Sequence, residues 1–93
     1  MREALKQQVA QAAQVLRQYG ATDVFLFGSA TRDDVDEPHD IDMAVKGLPP
    51  ESFFAAYAKA ARCLDREMDL IPLDSDNPFV EYLKKKGKLR RVG

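Results

Sequence analysis

Leu26-Phe27-Gly28-Ser29 and, beyond an acidic loop, His39-Asp40-Ile41-Asp42-Met43-Ala44-Val45 are the two runs whose reading decides the fold. Gly28 and Ser29 close an apolar run, and ten residues separate Ser29 from Asp40 at the start of the next. Side chains alternate faces along a strand, so Asp40, Asp42 and Ala44 point one way and Ile41, Met43 and Val45 the other. One face reads as core and the other as chemistry. Two carboxylates side by side repel each other until a proton or a cation intervenes, so the pair suggests a divalent metal site. Oxygen donors of this kind favour magnesium.

Working outward, Val24 to Phe27 is a short, aromatic, continuous apolar run bounded by Asp23 and Gly28, which reads as a buried strand. Ser29 is placed to cap a short helix reaching about Asp34, whose N-terminal N–H groups would offer a seat for phosphate. Asp36, Glu37 and Pro38 then make a turn. The short connection predicts that the strand His39 to Val45 runs antiparallel to the first and returns Asp40 and Asp42 beside Ser29. Nucleotide seat and metal seat are thus expected to converge.

The remaining chain supplies scaffold. Leu5, Val9, Ala12, Leu16 and Tyr19 recur at helical spacing, predicting an amphipathic helix from about Arg2 to Tyr19 with Gly20 as its stop. Pro50 suits the first position of a helix carrying Phe53, Tyr57, Ala60 and Leu64 on one face. Arg66 to Leu73 reads as a third strand, with Met68 and Leu70 on one face and Glu67, Asp69 and Ile71 on the other, so a further carboxylate can face the site. Asn77 and Pro78 start a last helix with Phe79 and Leu83 inside and Gly87 at its end, leaving a basic tail. The fold class is therefore α/β (α+β): a small mixed sheet of three to four strands flanked by helices, in the order α-β-α-β-α-β-α.

The bulk properties are those of an ordinary globular protein: 93 residues, 45% hydrophobic and 31% charged, which reads as one domain spanning 1–93. A formal net charge of -1 conceals two poles, acids from Asp33 to Asp42 and bases from Lys84 to Arg91. No signal core or membrane-spanning run is evident, so the expected location is cytoplasmic. Cys63 is the one cysteine, which excludes an intrachain disulfide and a thiolate cluster and leaves it as a small helix residue. Asp33, Asp34, Asp36 and Glu37 read as a solvated acidic loop. They do not form an EF-hand, because the tight-turn position counted from Asp34 holds His39 and the closing position holds Val45. Lys84 to Arg91 lacks interleaved aromatic residues, so it reads as a solubilising face, and nucleic acid is not the expected partner.

At Gly28, Ser29, Asp40, Asp42 and Asp69 the sequence resembles the minimal nucleotidyltransferase (MNT) family of the DNA polymerase beta superfamily. Its signature is Gly-Ser, about ten residues, Asp-any-Asp in an apolar strand, and a carboxylate on a later strand. The predicted element order is similar to that family's nucleotidyltransferase fold. The resemblance implies that Gly28 and Ser29 hold the phosphates of ATP, that Asp40 and Asp42 hold two magnesium ions, and that Asp69 contacts one metal and helps take a proton from the attacking hydroxyl. Two metals roughly 3.5–4 Å apart can stabilise attacking and leaving oxygens together. Arg32 either meets a phosphate or is a solvated helix residue. The chain departs from the family where Ala-Arg-Gly is replaced by Thr31, Arg32 and Asp33, and where the Ser before the Asp pair is His39, read as a loop residue near the site.

Many short members are antitoxins paired with a HEPN-domain toxin, and some transfer AMP to a toxin tyrosine. The resemblance therefore implies a nucleotidyltransferase acting on a HEPN-type partner in trans, as a homo- or hetero-oligomer. Two rivals are an antitoxin that only occludes its partner and the catalytic subunit of a small-molecule nucleotidyltransferase.

Overall fold

The computed structural model describes residues 1–32, 34–86 and 88–92. The elements are α1 (Glu3–Gln18), β1 (Asp23–Phe27), β2 (Asp40–Lys46), α2 (Phe53–Ala61), β3 (Glu67–Pro72), α3 (Pro78–Lys86) and β4 (Arg90–Arg91). They build a four-stranded mixed sheet in the order β3-β2-β1-β4. β1 is antiparallel to β2 and to β4, whereas β3 lies parallel to β2. The parallel pair is possible because α2 supplies the crossover between β2 and β3.

Sequence alternation decides which layer each strand residue joins. Val24 and Leu26 of β1, Ile41, Met43 and Val45 of β2 and Met68 and Leu70 of β3 are buried in one cluster with Leu5, Val9 and Leu16 of α1. Ala12 and Ala13 of α1 and Ala56 and Ala60 of α2 join the same cluster. Small side chains there let the two helices lie close together over the sheet. Each large apolar side chain sealed in this layer contributes about 1.5–3 kcal/mol. The opposite face holds a smaller cluster, in which Phe27, Ala44 and Leu73 meet Val80 and Leu83 of α3.

α1 ends as expected. Tyr19 is the cap, Gly20 takes φ +121°, and a Cβ there would lie 2.9 Å from Pro49 Cδ, so both backbone and space call for glycine. α3 also starts where expected, because Asn77 Oδ1 accepts from the Val80 N–H at 2.9 Å, an N-cap bond. Its inner face is Val80 with Leu83, while Phe79 is 50% exposed and meets the edge of the Phe27 ring at 6.0 Å. Gly87, the expected end of that helix, lies outside the described residues.

Three boundaries differ from the sequence reading. Instead of a helix capped by Ser29 and running to Asp34, a four-residue 3-10 turn spans Gly28–Thr31, with Phe27 at the cap position and Arg32 already extended. The Thr31 hydroxyl donates to the Gly28 carbonyl at 2.7 Å and closes that turn on itself. Asp33 lies outside the described residues. Pro50 opens a separate 3-10 turn, Pro50–Ser52, before α2 begins at Phe53. α2 stops at Ala61, so Cys63 and Leu64 sit in a tight turn whose N–H groups reach Ala60 and Ala61.

The largest correction is the basic tail. Arg90–Arg91 is a fourth strand along β1, extended by a Val92 N–H bond to the Val24 carbonyl at 2.9 Å. Arg17 donates to the Val92 carbonyl and Arg91 pairs with Asp23. These bonds, with Leu89 and Val92 packed on the two clusters, hold the segment as a strand while both arginine side chains stay exposed.

Candidate active site

β2 and β3 bring the carboxylates together. In the parallel ladder Asp42 lies beside Asp69 and Asp40 beside Glu67, and in the antiparallel ladder Asp42 lies opposite Phe27, the residue before Gly28. Gly28 has φ +69°, and a Cβ on it would fall 2.5 Å from Asp42 Oδ2. Only glycine lets the turn and the carboxylate approach this closely. The Gly28 turn and Asp42 therefore meet in space, and β1 and β2 pair antiparallel as the short connection predicted.

Asp42 is half-buried, whereas Asp40 and Asp69 are exposed. Burial pushes the Asp42 carboxyl above the ordinary carboxylate range, reinforced by the charge of Asp69, a hydrogen bond with that side chain, and the charge of Asp40. Like charges are thus held near one another by the sheet register.

Tyr57, absent from the sequence reading of the site, has a supporting place. Its hydroxyl donates to the Met68 carbonyl at 2.6 Å, tying α2 to β3 one residue before Asp69. Burial raises its pKa, with the charge of Asp69 next in weight. Its position on the inner face of α2 was legible, but its hydroxyl partner was not, because a backbone carbonyl leaves no mark in a sequence.

Asp34, Asp36 and Glu37 of the acidic loop are exposed, and the loop is also pinned. Arg66 donates to the Pro38 carbonyl at 2.8 Å and pairs with Glu37 at 3.2 Å and Asp65 at 2.8 Å. Arg2 reaches Glu37 at 3.2 Å. These links hold the chain just before Asp40 in place. His39 is an exposed bend residue within that connection. Arg32 donates through Nε and Nη2 to Asp34 at 3.1 and 2.8 Å, and it lines a cleft beside Gly28 together with Thr31, Lys88, Leu89 and Arg90.

Among the described residues no set of three or more His, Cys, Asp or Glu side chains is gathered into a ready metal cage. Magnesium does not require one, since it is commonly held by one or two carboxylates, water and substrate phosphates. The Asp42–Asp69 pair, with Asp40 adding charge, fits that pattern: a cation would offset both the burial and the neighbouring charges that raise Asp42.

A mixed sheet with a glycine turn set against carboxylates on adjoining strands defines the nucleotidyltransferase fold class. This chain belongs to the nucleotidyltransferase domain family, whose model matches residues 8–92. No match is found among curated proteins. Among solved structures, a chain of a toxin–antitoxin with AMP-PNP superposes with a TM-score of 0.69 at 23% identity, covering 91% of this chain and 72% of that one. A complex of tri-AMPylated Shewanella oneidensis HEPN toxin with MNT antitoxin gives 0.67 at 22% identity, covering 96% and 71%. The MntA–HepT toxin–antitoxin gives 0.65 at 22% identity, covering 94% and 70%. At these identities the likeness speaks to the fold.

Proposed function

We propose that this chain is a magnesium-dependent nucleotidyltransferase that moves AMP from ATP to a hydroxyl on a partner protein, a tyrosine of a HEPN-type toxin, and acts as that toxin's antitoxin. The observation that carries the reading is the close approach of the Gly28 backbone to Asp42 beside Asp69, which sets the glycine turn directly against paired carboxylates. Structural neighbours with AMP-PNP or with an AMPylated toxin support the choice of nucleotide and acceptor.

Asp42 and Asp69, with Asp40 at the strand entrance, would hold the ions, which supply charge neutralisation at the phosphates. Gly28 and Ser29 would orient the triphosphate so that its α-phosphorus faces the acceptor. The acceptor oxygen forms a bond to that phosphorus, the bridging oxygen leaves with pyrophosphate, and Asp69 takes the hydroxyl proton. Positioning and electrostatics suffice for such a displacement, so the small scaffold is no obstacle. The cytoplasm is the compartment we propose for a reaction that consumes ATP.

The test is the intact mass of the partner protein after incubation with this chain, ATP and magnesium, using wild type and Asp42→Asn. A gain of one or more AMP units with wild type and none with the variant supports the reading. A stable, neutralised complex with no mass gain in either case overturns it in favour of simple occlusion.

A further inference from the structure

β3 is an edge strand, paired with β2 alone in the order β3-β2-β1-β4. It carries Asp69, which lies beside Asp42 in that ladder, so one carboxylate of the candidate site rests on a strand with a neighbour on one side only. An edge strand leaves a row of backbone N–H and C=O groups without ladder partners. At Asp69 that row is occupied. Tyr57 of α2 donates its hydroxyl to the Met68 carbonyl at 2.6 Å, and the Leu70 N–H hydrogen-bonds to the same oxygen. The backbone groups on either side of Asp69 thus share one side-chain oxygen, which takes the place that a residue of a further strand would fill.

The ring that carries the hydroxyl is itself fixed. Tyr57 packs against the larger core cluster and stands edge-on to Phe53, with ring centroids 6.1 Å apart. Asp69 is therefore held between β2 on one side and an anchored phenol on the other. Its own side chain is exposed, so core packing does not place the carboxylate and the backbone beneath it must. Placement matters here, because magnesium demands near-ideal octahedral geometry and a misplacement of about 1 Å in a site can cost about 100-fold in rate.

Resting on the nucleotidyltransferase reading, we infer that Tyr57 is a positioning residue for Asp69: through the Met68 carbonyl and the Leu70 N–H it fixes the backbone on both sides of the carboxylate that meets a magnesium ion. The tyrosine itself takes no part in the chemistry. Its effect passes through Asp69, so the two residues act toward the metal as one unit.

The test is calorimetric titration of magnesium into the full chain with a non-hydrolysable ATP analogue, for wild type, Tyr57→Phe, Asp69→Asn and the double variant, with urea midpoints of the metal-free proteins alongside. Phenylalanine keeps the packed ring and removes only the hydroxyl. Loss of a group that orients a metal ligand weakens metal binding by roughly 10–100-fold. The expected result is a loss of about tenfold or more in Tyr57→Phe and, once Asp69→Asn is present, a further change within about twofold. A hydroxyl that only covers the strand edge would lower the urea midpoint and leave magnesium affinity within about twofold of wild type. That result, with affinity still lost in Asp69→Asn, overturns this inference and leaves the nucleotidyltransferase reading standing. An equal loss on adding Tyr57→Phe to either background also overturns it, because the loosening is then not specific to Asp69. Failure of the wild type to bind magnesium with the analogue overturns both.

Discussion

On one face of β2, Ile41, Met43 and Val45 are 0%, 0% and 1% exposed beneath α1 and α2; on the other face, Asp40 is exposed, Asp42 half-buried and only Ala44 sealed. The same seven-residue strand thus serves two opposing demands. The apolar face gains stability from every contact it makes. The acidic face brings carboxylates together at a cost in stability, and that cost has a function only if a cation and phosphates arrive. Active sites commonly carry strain or repulsion that the remaining core offsets.

The largest effect expected from this contrast is on the apolar side. Leu16→Ala, which removes a fully buried side chain of α1, should cost about 2–5 kcal/mol, read as a lower urea midpoint, with the transfer rate of the folded protein unchanged. Comparable loss of transfer at full folding would show that the two faces are not separable. Gly28→Ala should cost less in stability, about 1–3 kcal/mol, because an L side chain is strained at φ +69°. Its effect on function should be larger, since the methyl group displaces Asp42; normal nucleotide affinity in that variant would contradict a role for the close approach of Gly28 to Asp42.

The smallest effect lies at the sheet edge. Arg91 holds the Asp23 carboxyl below the usual range, chiefly through their hydrogen bond. A lowered carboxylate pKa stabilises the fold above the unfolded value, and that contribution fades as pH falls through the folded one. Thermal melts of wild type and Arg91→Gln should therefore differ slightly at neutral pH and converge in acid below the ordinary pKa of 3.8. A difference that persists there would assign the role of Arg91 to packing over the Phe25 ring, 5.1 Å away.

The central strands were legible because their signals are local. Period-two alternation around Asp40 and Asp42 and around Asp69 fixed which face each residue would take, and the short loop after Gly28 fixed the antiparallel return. What escaped was set by distant partners. Arg90 and Arg91 have no strong strand preference, and only the open edge of β1, Asp23 and the packing place for Val92 make that segment a strand. A helix after Ser29 was expected from capping chemistry, but Thr31 closes the turn onto Gly28 first. Similarly, the acidic loop showed charge but not its counterpart: Arg66 lies far along the chain and reaches Glu37 only once β3 pairs with β2.

The most direct measurement is the melting temperature of wild type and Asp42→Asn at neutral pH, without magnesium and then with magnesium and a non-hydrolysable ATP analogue. A carboxyl with a raised pKa contributes stability at low pH that is lost as pH rises through its folded value, so ionised Asp42 burdens the free protein at neutrality. The account predicts that Asp42→Asn melts higher than wild type without ligand, that the gap closes in acid, and that magnesium with nucleotide raises wild type but not the variant. A variant that melts lower without ligand, and then gains as much as wild type from magnesium and nucleotide, would contradict it.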